Sequence, residues 1–234
     1  MTQIFQRLDP RARILTVVVA IAIIASTPPA ILRPFGIYAA LALLLVMMSR
    51  APGSYLTLRV LAASPFLLLA GGLLAFQHGL TPEGTPAGVS AGLSVLFKGY
   101  LAALLLAMLT ATTPLSELLW ALRALKAPPA LNTILGMMYR YTSLLSEEYA
   151  RMERARDCRT VRPLGRHRIS IYGHQFGNLI LRSWDRADRV HAAMLSRGFN
   201  GAWPSMEQRH FQLHDAAFLV GTSALFLLTR LTAA

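Results

Sequence analysis

Long apolar runs constrain the fold of this chain more than any other feature. A helix needs about 20 mainly apolar residues to cross a bilayer. The runs that approach this length are residues 12–27, 30–49, 58–77, 88–112 and 211–231. Proline, glycine or arginine separates them, as expected between helices. Pro65 and Gly71-Gly72 lie inside the third run, but membrane helices tolerate such residues as kinks or close-packing points. The sequence therefore predicts an all-α polytopic membrane protein with about five transmembrane helices.

The distribution of basic residues predicts the orientation. The chain has 23 Lys and Arg against 11 Asp and Glu, a formal net charge of +12. Arg7, Arg11 and Arg13 precede the first run, whereas residues 78–97 contain no Lys or Arg. Because basic residues collect on the cytoplasmic side of membrane spans, we expect a cytoplasmic amino terminus and an external carboxyl terminus. The expected domains are spans 1–4 in residues 1–112, a cytoplasmic segment in 113–209 and a last span in 210–234.

The first apolar run also has the length of a signal-sequence core. The following Ser26-Thr27-Pro28-Pro29 is a poor cleavage site, however, and another apolar run follows at once. We therefore expect a retained first span. The single cysteine, Cys158, excludes an internal disulfide and a cysteine-rich metal site.

The basic segment 113–209 predicts three helices. A short amphipathic pattern covers residues 114–126, and longer patterns with apolar residues at steps of three and four cover 130–160 and 169–197. Residues 161–165, which include a proline and a glycine, break the second helix from the third. Within the second helix, Glu147 and Arg151 have the spacing of a favourable ion pair.

Two arginine motifs lie near the ends of the longer helices. They are Ala155-Arg156-Asp157 and Ser196-Arg197-Gly198. Gly198 is suited to the left-handed conformation that ends many helices. Each motif is expected to project an arginine from a helix tip, where a guanidinium group binds a carboxylate or backbone carbonyls through two hydrogen bonds. The alternative is that both arginines only complement the helix dipole.

These motifs carry a resemblance to a known family. The matching stretches are Tyr139 through Arg159, Arg186 through Phe199 and the opening Asp9-Pro10-Arg11. The chain resembles the transmembrane coupling subunit, or T component, of energy-coupling factor transporters, and specifically the cobalt and nickel group called CbiQ. In that family two cytoplasmic coupling helices each end in an Ala-Arg-Gly signature, which inserts into a groove of one of two ABC-type ATPases.

The resemblance implies an ATPase-docking role for both motifs. Arg156 and Arg197 would be the docking arginines, with Ala155 and Ser196 before them and Gly198 closing the second motif. The chain departs from the signature at Asp157, which replaces glycine, and at Ser196, which replaces alanine. The first departure leaves open whether Arg156 is the only anchor or shares this role with Arg159.

The resemblance also implies the partners and the absence of catalysis. The expected partners are two ABC-type ATPase subunits, a substrate-specificity membrane subunit and lipids in the inner membrane of a prokaryote, with no nucleic acid. The chain itself would hold no cofactor, since ATP and Mg²⁺ belong to the ATPases and the cobalt or nickel ion to the specificity subunit. It also has no Gly-x-x-x-x-Gly-Lys phosphate loop. We therefore expect a non-catalytic transporter subunit with no metal-binding residues of its own.

Two other functions are considered. A membrane enzyme would need convergent polar residues at membrane depth, but Lys98 is the clearest charged residue within a span. A nucleic-acid or anionic-lipid binding protein would use the basic segment, which lacks a recognisable nucleic-acid reader motif. His210 and His214 have metal-ligand spacing next to Asp215, although an interfacial pair at the mouth of the last span is favoured. Glu117 and Lys126 are expected to be solvated charges.

Overall fold

The computed structural model describes residues 8–28, 33–49, 51–79, 85–159, 168–201 and 212–231. Within these ranges the chain forms helices and no strand, which confirms the all-α prediction. The helices are α1 (Pro10–Ala25), α2 (Arg33–Ser49), α3 (Gly53–Gly79), α4 (Thr85–Thr112), α5 (Leu115–Ala124), α6 (Pro129–Arg159), α7 (Arg168–Leu195) and α8 (Leu213–Leu231).

The chain divides into two compact units. The first contains Met1–Ala121 and Glu207–Ala234, and the second contains Leu122–Met206. The boundary lies inside α5, so most of this short helix belongs to the first unit. The assignment of residues 1–112 and 210–234 to membrane and of 113–209 to cytoplasm remains a prediction.

Two helices among the described residues are long and apolar enough to cross a membrane. They are formed by Gly53–Phe76 of α3 and Ser90–Thr112 of α4, and Pro34–Ser49 of α2 is a shorter apolar helix. Helix α1 has 16 residues, fewer than the usual number for a span. Helix α8 carries Asp215 and Arg230. The count of five spans therefore remains a prediction, whereas Pro65 does lie inside one continuous helix, as expected.

Helix α3 exposes apolar side chains around most of its circumference. Between residues 53 and 76 only Leu56 and Gly71 are buried. Phe66 is 73% exposed, and Leu61 and Leu69 are each 68% exposed. Such a continuous apolar surface is unfavourable in water but suits the hydrocarbon of a bilayer. The exposed surface of α3 therefore indicates that the first unit lies in a membrane.

Helices α3 and α4 pack closely through glycines. A Cβ atom added at Gly92 of α4 would lie 2.7 Å from the carbonyl oxygen of Gly71 in α3. A Cβ at Gly71 would in turn lie 3.1 Å from the Gly92 carbonyl oxygen. These positions need glycine because small residues allow membrane helices to approach closely. The prediction of close packing is thus confirmed for Gly71 but not for Gly72, which has open space beside it.

Helices α1 and α2 of the first unit share the same two packing partners, α4 and α8. Helix α1 packs against α8 and α4, and α2 packs against the same two helices. Their shared core contains Tyr38 of α2, which stacks on Phe226 of α8 with ring centroids 5.8 Å apart. Phe35 stacks on Phe97 of α4 at the same distance. Lys98 donates hydrogen bonds to the carbonyl oxygens of Ala25, the last residue of α1, and of Thr27, and so caps that helix end.

A buried arginine connects α1 to α4 and α5. The Arg13 side chain is only 2% exposed, and its Nη1 donates to the Thr112 carbonyl oxygen at 3.3 Å and to Glu117 Oε2 at 3.2 Å. Arg11 lies over the Trp120 ring of α5, with its guanidinium carbon 4.6 Å from the ring centroid. The prediction that Glu117 is a solvated charge is therefore wrong, because this carboxylate neutralises an arginine from a distant part of the sequence.

Candidate functional site

Helices α6 and α7 of the second unit lie side by side in opposite directions. Near the start of α6, Thr133 Oγ1 donates to the carbonyl oxygen of Gly201, which follows α7, at 3.4 Å. Near the end of α6, Arg156 Nη1 donates to Gln175 Oε1, in the first third of α7, at 3.1 Å. These contacts define an antiparallel pair, which we call the α6–α7 hairpin.

The Arg156 side chain is held within this hairpin. Its guanidinium group lies over the Tyr172 ring, 4.8 Å from the centroid, in addition to its bond with Gln175. Its Nη2 also bonds Asp157 Oδ1 at 2.8 Å and Glu153 Oε1 at 3.4 Å. The hydrogen bond with Asp157 raises the pKa of Arg156, although partial desolvation opposes the shift. Arg156 therefore remains charged.

This position differs from the sequence expectation. Arg156 lies one turn before the end of α6, as predicted, but its side chain is only 14% exposed and does not project from the tip. The local sequence explains part of the difference, since Asp157 replaces the glycine of the family signature and binds the guanidinium group. Gln175 and Tyr172 explain the rest, and no local sequence signal links them to Arg156.

A second polar contact joins the two helices. Glu148 of α6 accepts hydrogen bonds from Arg151 at 2.7 Å and from Arg182 of α7 at 2.8 Å. The bonds with Arg151 and then Arg182 lower the pKa of Glu148 below its ordinary value of 4.5. The predicted partner of Arg151 was Glu147, but three-residue spacing to Glu148 allows the same carboxylate to reach α7 as well.

The second arginine motif forms a helix-ending turn. Gly198 has a φ of 78°, the left-handed conformation predicted for it. The Phe199 N–H donates to the Met194 carbonyl, and the Gly198 N–H donates to the Leu195 carbonyl, each at 3.0 Å. This pair of bonds is a Schellman motif with Arg197 at the C-cap. The Arg197 side chain is exposed there, as expected for an arginine at a helix tip.

The two motifs lie at opposite ends of the hairpin. Arg156 contacts α7 at Gln175, and Arg197 follows 22 positions later along the same chain. At 1.5 Å per helical residue this corresponds to about 33 Å. The hairpin therefore presents its two arginine motifs as separate sites. Of the other candidate site residues, Ala155, Asp157, Arg159 and Ser196 are all exposed.

An apolar groove runs along the rest of the hairpin. It has a volume of about 630 Å³ and lies between residues 133–145 of α6 and 180–199 of the α7 segment. Its lining includes Met138, Ile180 and Trp184, each more than half exposed. Helix α6 has no buried residue. The two helices thus leave a substantial apolar surface open in the second unit.

The histidines that the structure describes give no sign of a metal centre. Among the described residues, no group of three His, Cys, Asp or Glu side chains could hold a metal ion. His214 Nε2 lies 3.5 Å from Asp215 Oδ1 and is largely exposed. Asp215 is buried, where it accepts the backbone N–H groups of Asp9 and Gln212. His210 lies outside the described residues, so the predicted pair with His214 remains a prediction.

The comparison with known protein families identifies the relatives of this chain. Residues 1–209 match the sequence model of the CbiQ family, which is described as "Cobalt transport protein". The chain belongs to the CbiQ family. This confirms the resemblance drawn from the two arginine motifs and from Asp9-Pro10-Arg11.

Two relatives of this chain are named for different metals, nickel and cobalt. The nickel permease LarQ of Lactiplantibacillus plantarum is 37% identical over 125 residues, which are 52% of this chain and 45% of LarQ. The cobalt transport protein CbiQ of Rhodobacter capsulatus is 30% identical over 139 residues, 58% of this chain and 56% of that protein. The aligned part of the chain thus spans about half the length of these two CbiQ relatives.

Proposed function

We propose that this chain is the transmembrane coupling subunit of an ATP-driven importer for cobalt or nickel. Membership of a cobalt transport family over residues 1–209 and the similarity to a nickel permease support this substrate class. The lipid-suited surface of α3 supports a position within the membrane. In this proposal the metal ion is the cargo of a separate substrate-specificity subunit, and the chain itself catalyses no reaction.

The observation that carries the coupling role is the α6–α7 hairpin with an arginine motif at each end. Two ABC-type ATPase subunits offer two similar sockets, and a separation of about 33 Å allows one hairpin to reach both. A stiff helical pair transmits a displacement at either end along its whole length. Movement of the ATPases on ATP binding and hydrolysis would therefore reach the membrane helices through this hairpin.

The two ends of the hairpin have different roles in docking. Arg197 is exposed and available to a carboxylate or a row of carbonyl groups in the socket. Arg156 is mostly covered, so in the undocked chain it fixes α6 against α7. Arg159, exposed three residues further along α6, supplies the outward guanidinium group at that end. The docking set therefore comprises both motifs together with Arg159.

The open apolar groove supports a second partner. Water-exposed apolar surface of this size is unfavourable unless another protein covers it. We propose that the membrane-embedded substrate-specificity subunit packs along this groove and that ATPases bind at the ends. The chain is then a multi-pass protein of a prokaryotic inner membrane, with the hairpin in the cytoplasm.

Association with the ATPases tests this proposal. The chain is co-expressed with its cognate ATPases, and the amount of ATPase that co-purifies with it is measured. We expect the double variant Arg156→Ala/Arg197→Ala to lose the ATPases. The double variant Arg159→Ala/Arg197→Ala leaves the contacts of Arg156 with α7 intact and should lose them as well. The matched control, Arg154→Ala/Arg189→Ala, removes one exposed arginine from each helix and should keep them. If the variants that lack Arg197 recover as much ATPase as the control variant and the wild type, the motifs do not dock.

A further inference from the structure

A polar pocket lies between the last turns of α6 and the first half of α7. It has a volume of about 520 Å³ and is separate from the apolar groove. The basic side chains on its wall are Arg151, Arg156, Arg159 and Arg182. Glu148 is the one carboxylate among the described lining residues. The pocket wall therefore carries a clear excess of positive charge.

Gln175 provides a buried hydrogen-bond donor in this pocket. The residue is only 6% exposed. Arg156 Nη1 donates to its Oε1 at 3.1 Å, and because a guanidinium group only donates, this bond fixes the orientation of the amide. The Nε2 group then has no acceptor among the described residues. Leaving a buried donor unpaired is costly, so an acceptor entering the pocket would bind favourably.

The acidic groups near the pocket already have partners. Glu148 accepts from Arg151 and Arg182, while Asp157 and Glu153 accept from Arg156. Four guanidinium groups line the pocket, whereas three carboxylates lie in it or next to it, so one positive charge is left in excess. A ligand that satisfies Gln175 Nε2 should therefore be an anion rather than a neutral acceptor.

We propose that this pocket binds a phosphate group. Its donors come from both helices of the pair, which suits a tetrahedral anion with several acceptor oxygens better than a planar carboxylate. Gln175 Nε2 would donate from the buried side and Arg159 from the exposed side. The bound phosphate would join α6 to α7. An anionic lipid headgroup and a soluble phosphate compound offer this same chemistry.

The pocket shares Arg156 and Arg159 with the proposed docking set, but phosphate binding needs no partner protein and is tested without one. It is tested with the purified full chain in a maltoside detergent, which contains no phosphate. Thermal unfolding is followed during titration with inorganic phosphate, with chloride used to keep the ionic strength constant. Binding to the folded chain raises the midpoint in a saturable way.

The decisive variant is Gln175→Leu, which keeps the approximate size of the side chain and removes the donor. We expect the affinity for phosphate, obtained from the titration, to fall at least tenfold, which corresponds to the loss of about one hydrogen bond to a charged group. Arg154→Ala, an exposed arginine of α6 outside the pocket, is the matched control and should respond like the wild type. If Gln175→Leu does not fold, Arg159→Ala replaces it and should also weaken the response.

Short-chain phosphatidic acid, compared with the matching diacylglycerol, tests the lipid source. If inorganic phosphate raises the unfolding midpoint saturably, the natural ligand is a soluble phosphate compound. If only phosphatidic acid raises it, the ligand is a lipid headgroup. Either result supports a phosphate site. The proposal is overturned if neither binds saturably, if acetate acts as strongly as phosphate, or if the pocket variant responds like the wild type. Because no ATPase is present, these results do not depend on ATPase docking.

Discussion

Replacement of Arg13 by methionine should destabilise the first unit by about 3 kcal/mol. Arg13 is 2% exposed and bonds both the Thr112 carbonyl oxygen, at the end of α4, and Glu117 in α5. Methionine fills most of the same space without the charge. The substitution therefore leaves a carbonyl group and a carboxylate without their arginine, while the apolar packing of α1 is largely kept.

The magnitude follows from the environment of Glu117. Removing one partner of a buried ion pair typically costs about 3–5 kcal/mol, since the other charge is left in a poorly solvated site. The Glu117 side chain is 22% exposed and can gain some hydration, so we expect the lower end of this range. A loss of about 3 kcal/mol corresponds to a change of about 150-fold in the unfolding equilibrium.

A double-mutant cycle separates the ion pair from other effects. Arg13→Met, Glu117→Gln and the double variant are unfolded by denaturant titration in detergent, with helix content as the signal. We expect a coupling free energy of about 1–3 kcal/mol between the two positions. Arg11→Met is a matched control two residues away, where a partly exposed cation–π contact with Trp120 predicts a loss of about 1 kcal/mol. The reasoning is refuted if Arg13→Met lies within about 0.5 kcal/mol of the wild type.

Three further predictions concern packing, backbone strain and acid stability. Gly92→Val should lower the thermal unfolding midpoint, at a cost of about 1–3 kcal/mol, because the valine side chain would meet the α3 backbone. Gly72→Val is the control, since Gly72 has open space beside it and the midpoint should stay unchanged. Equal effects of the two substitutions would contradict the close packing of α3 and α4. Lys126, which follows α5, has a φ of 64°, a conformation that glycine adopts without strain. Lys126→Gly should therefore raise the free energy of unfolding by about 1 kcal/mol in denaturant titration. A lower free energy of unfolding would show that contacts of the lysine side chain outweigh the backbone strain. Arg151 and Arg182 lower the pKa of Glu148, so the ionised carboxylate stabilises the folded chain. This contribution to the free energy of unfolding is present above pH 4.5 and is lost as the pH falls through the lowered pKa. Glu148→Gln should remove this part of the acid dependence, and an unchanged pH profile would contradict it.

The sequence predicts the helices of the hairpin well. The predicted ranges 130–160 and 169–197 agree within two residues with Pro129–Arg159 and Arg168–Leu195. Both helices have strong local signals, namely apolar residues at helical spacing, a proline near the start of α6 and Gly198 after α7. The helix ends depend on the chemistry of a few neighbouring residues, which is why they can be read from the sequence.

Contacts between distant residues could not be predicted in the same way. Arg13 and Glu117 are separated by 104 positions, and their pairing depends on how α1 packs against α4 and α5. The covered position of Arg156 likewise depends on the register of α6 against α7, which places Gln175 and Tyr172 beside it. Helical periodicity indicates which face of a helix is apolar, but it does not fix which residues of two helices meet.

ATP-dependent metal uptake tests the coupling role most directly. The chain is reconstituted in liposomes with its ATPases and its specificity subunit, and uptake of radioactive cobalt and nickel is measured after ATP addition. We predict uptake with the wild type and with Arg154→Ala/Arg189→Ala, and none with Arg156→Ala/Arg197→Ala. Undiminished uptake by the Arg156/Arg197 double variant would contradict the proposal that the two ends of the hairpin transmit the ATPase movement.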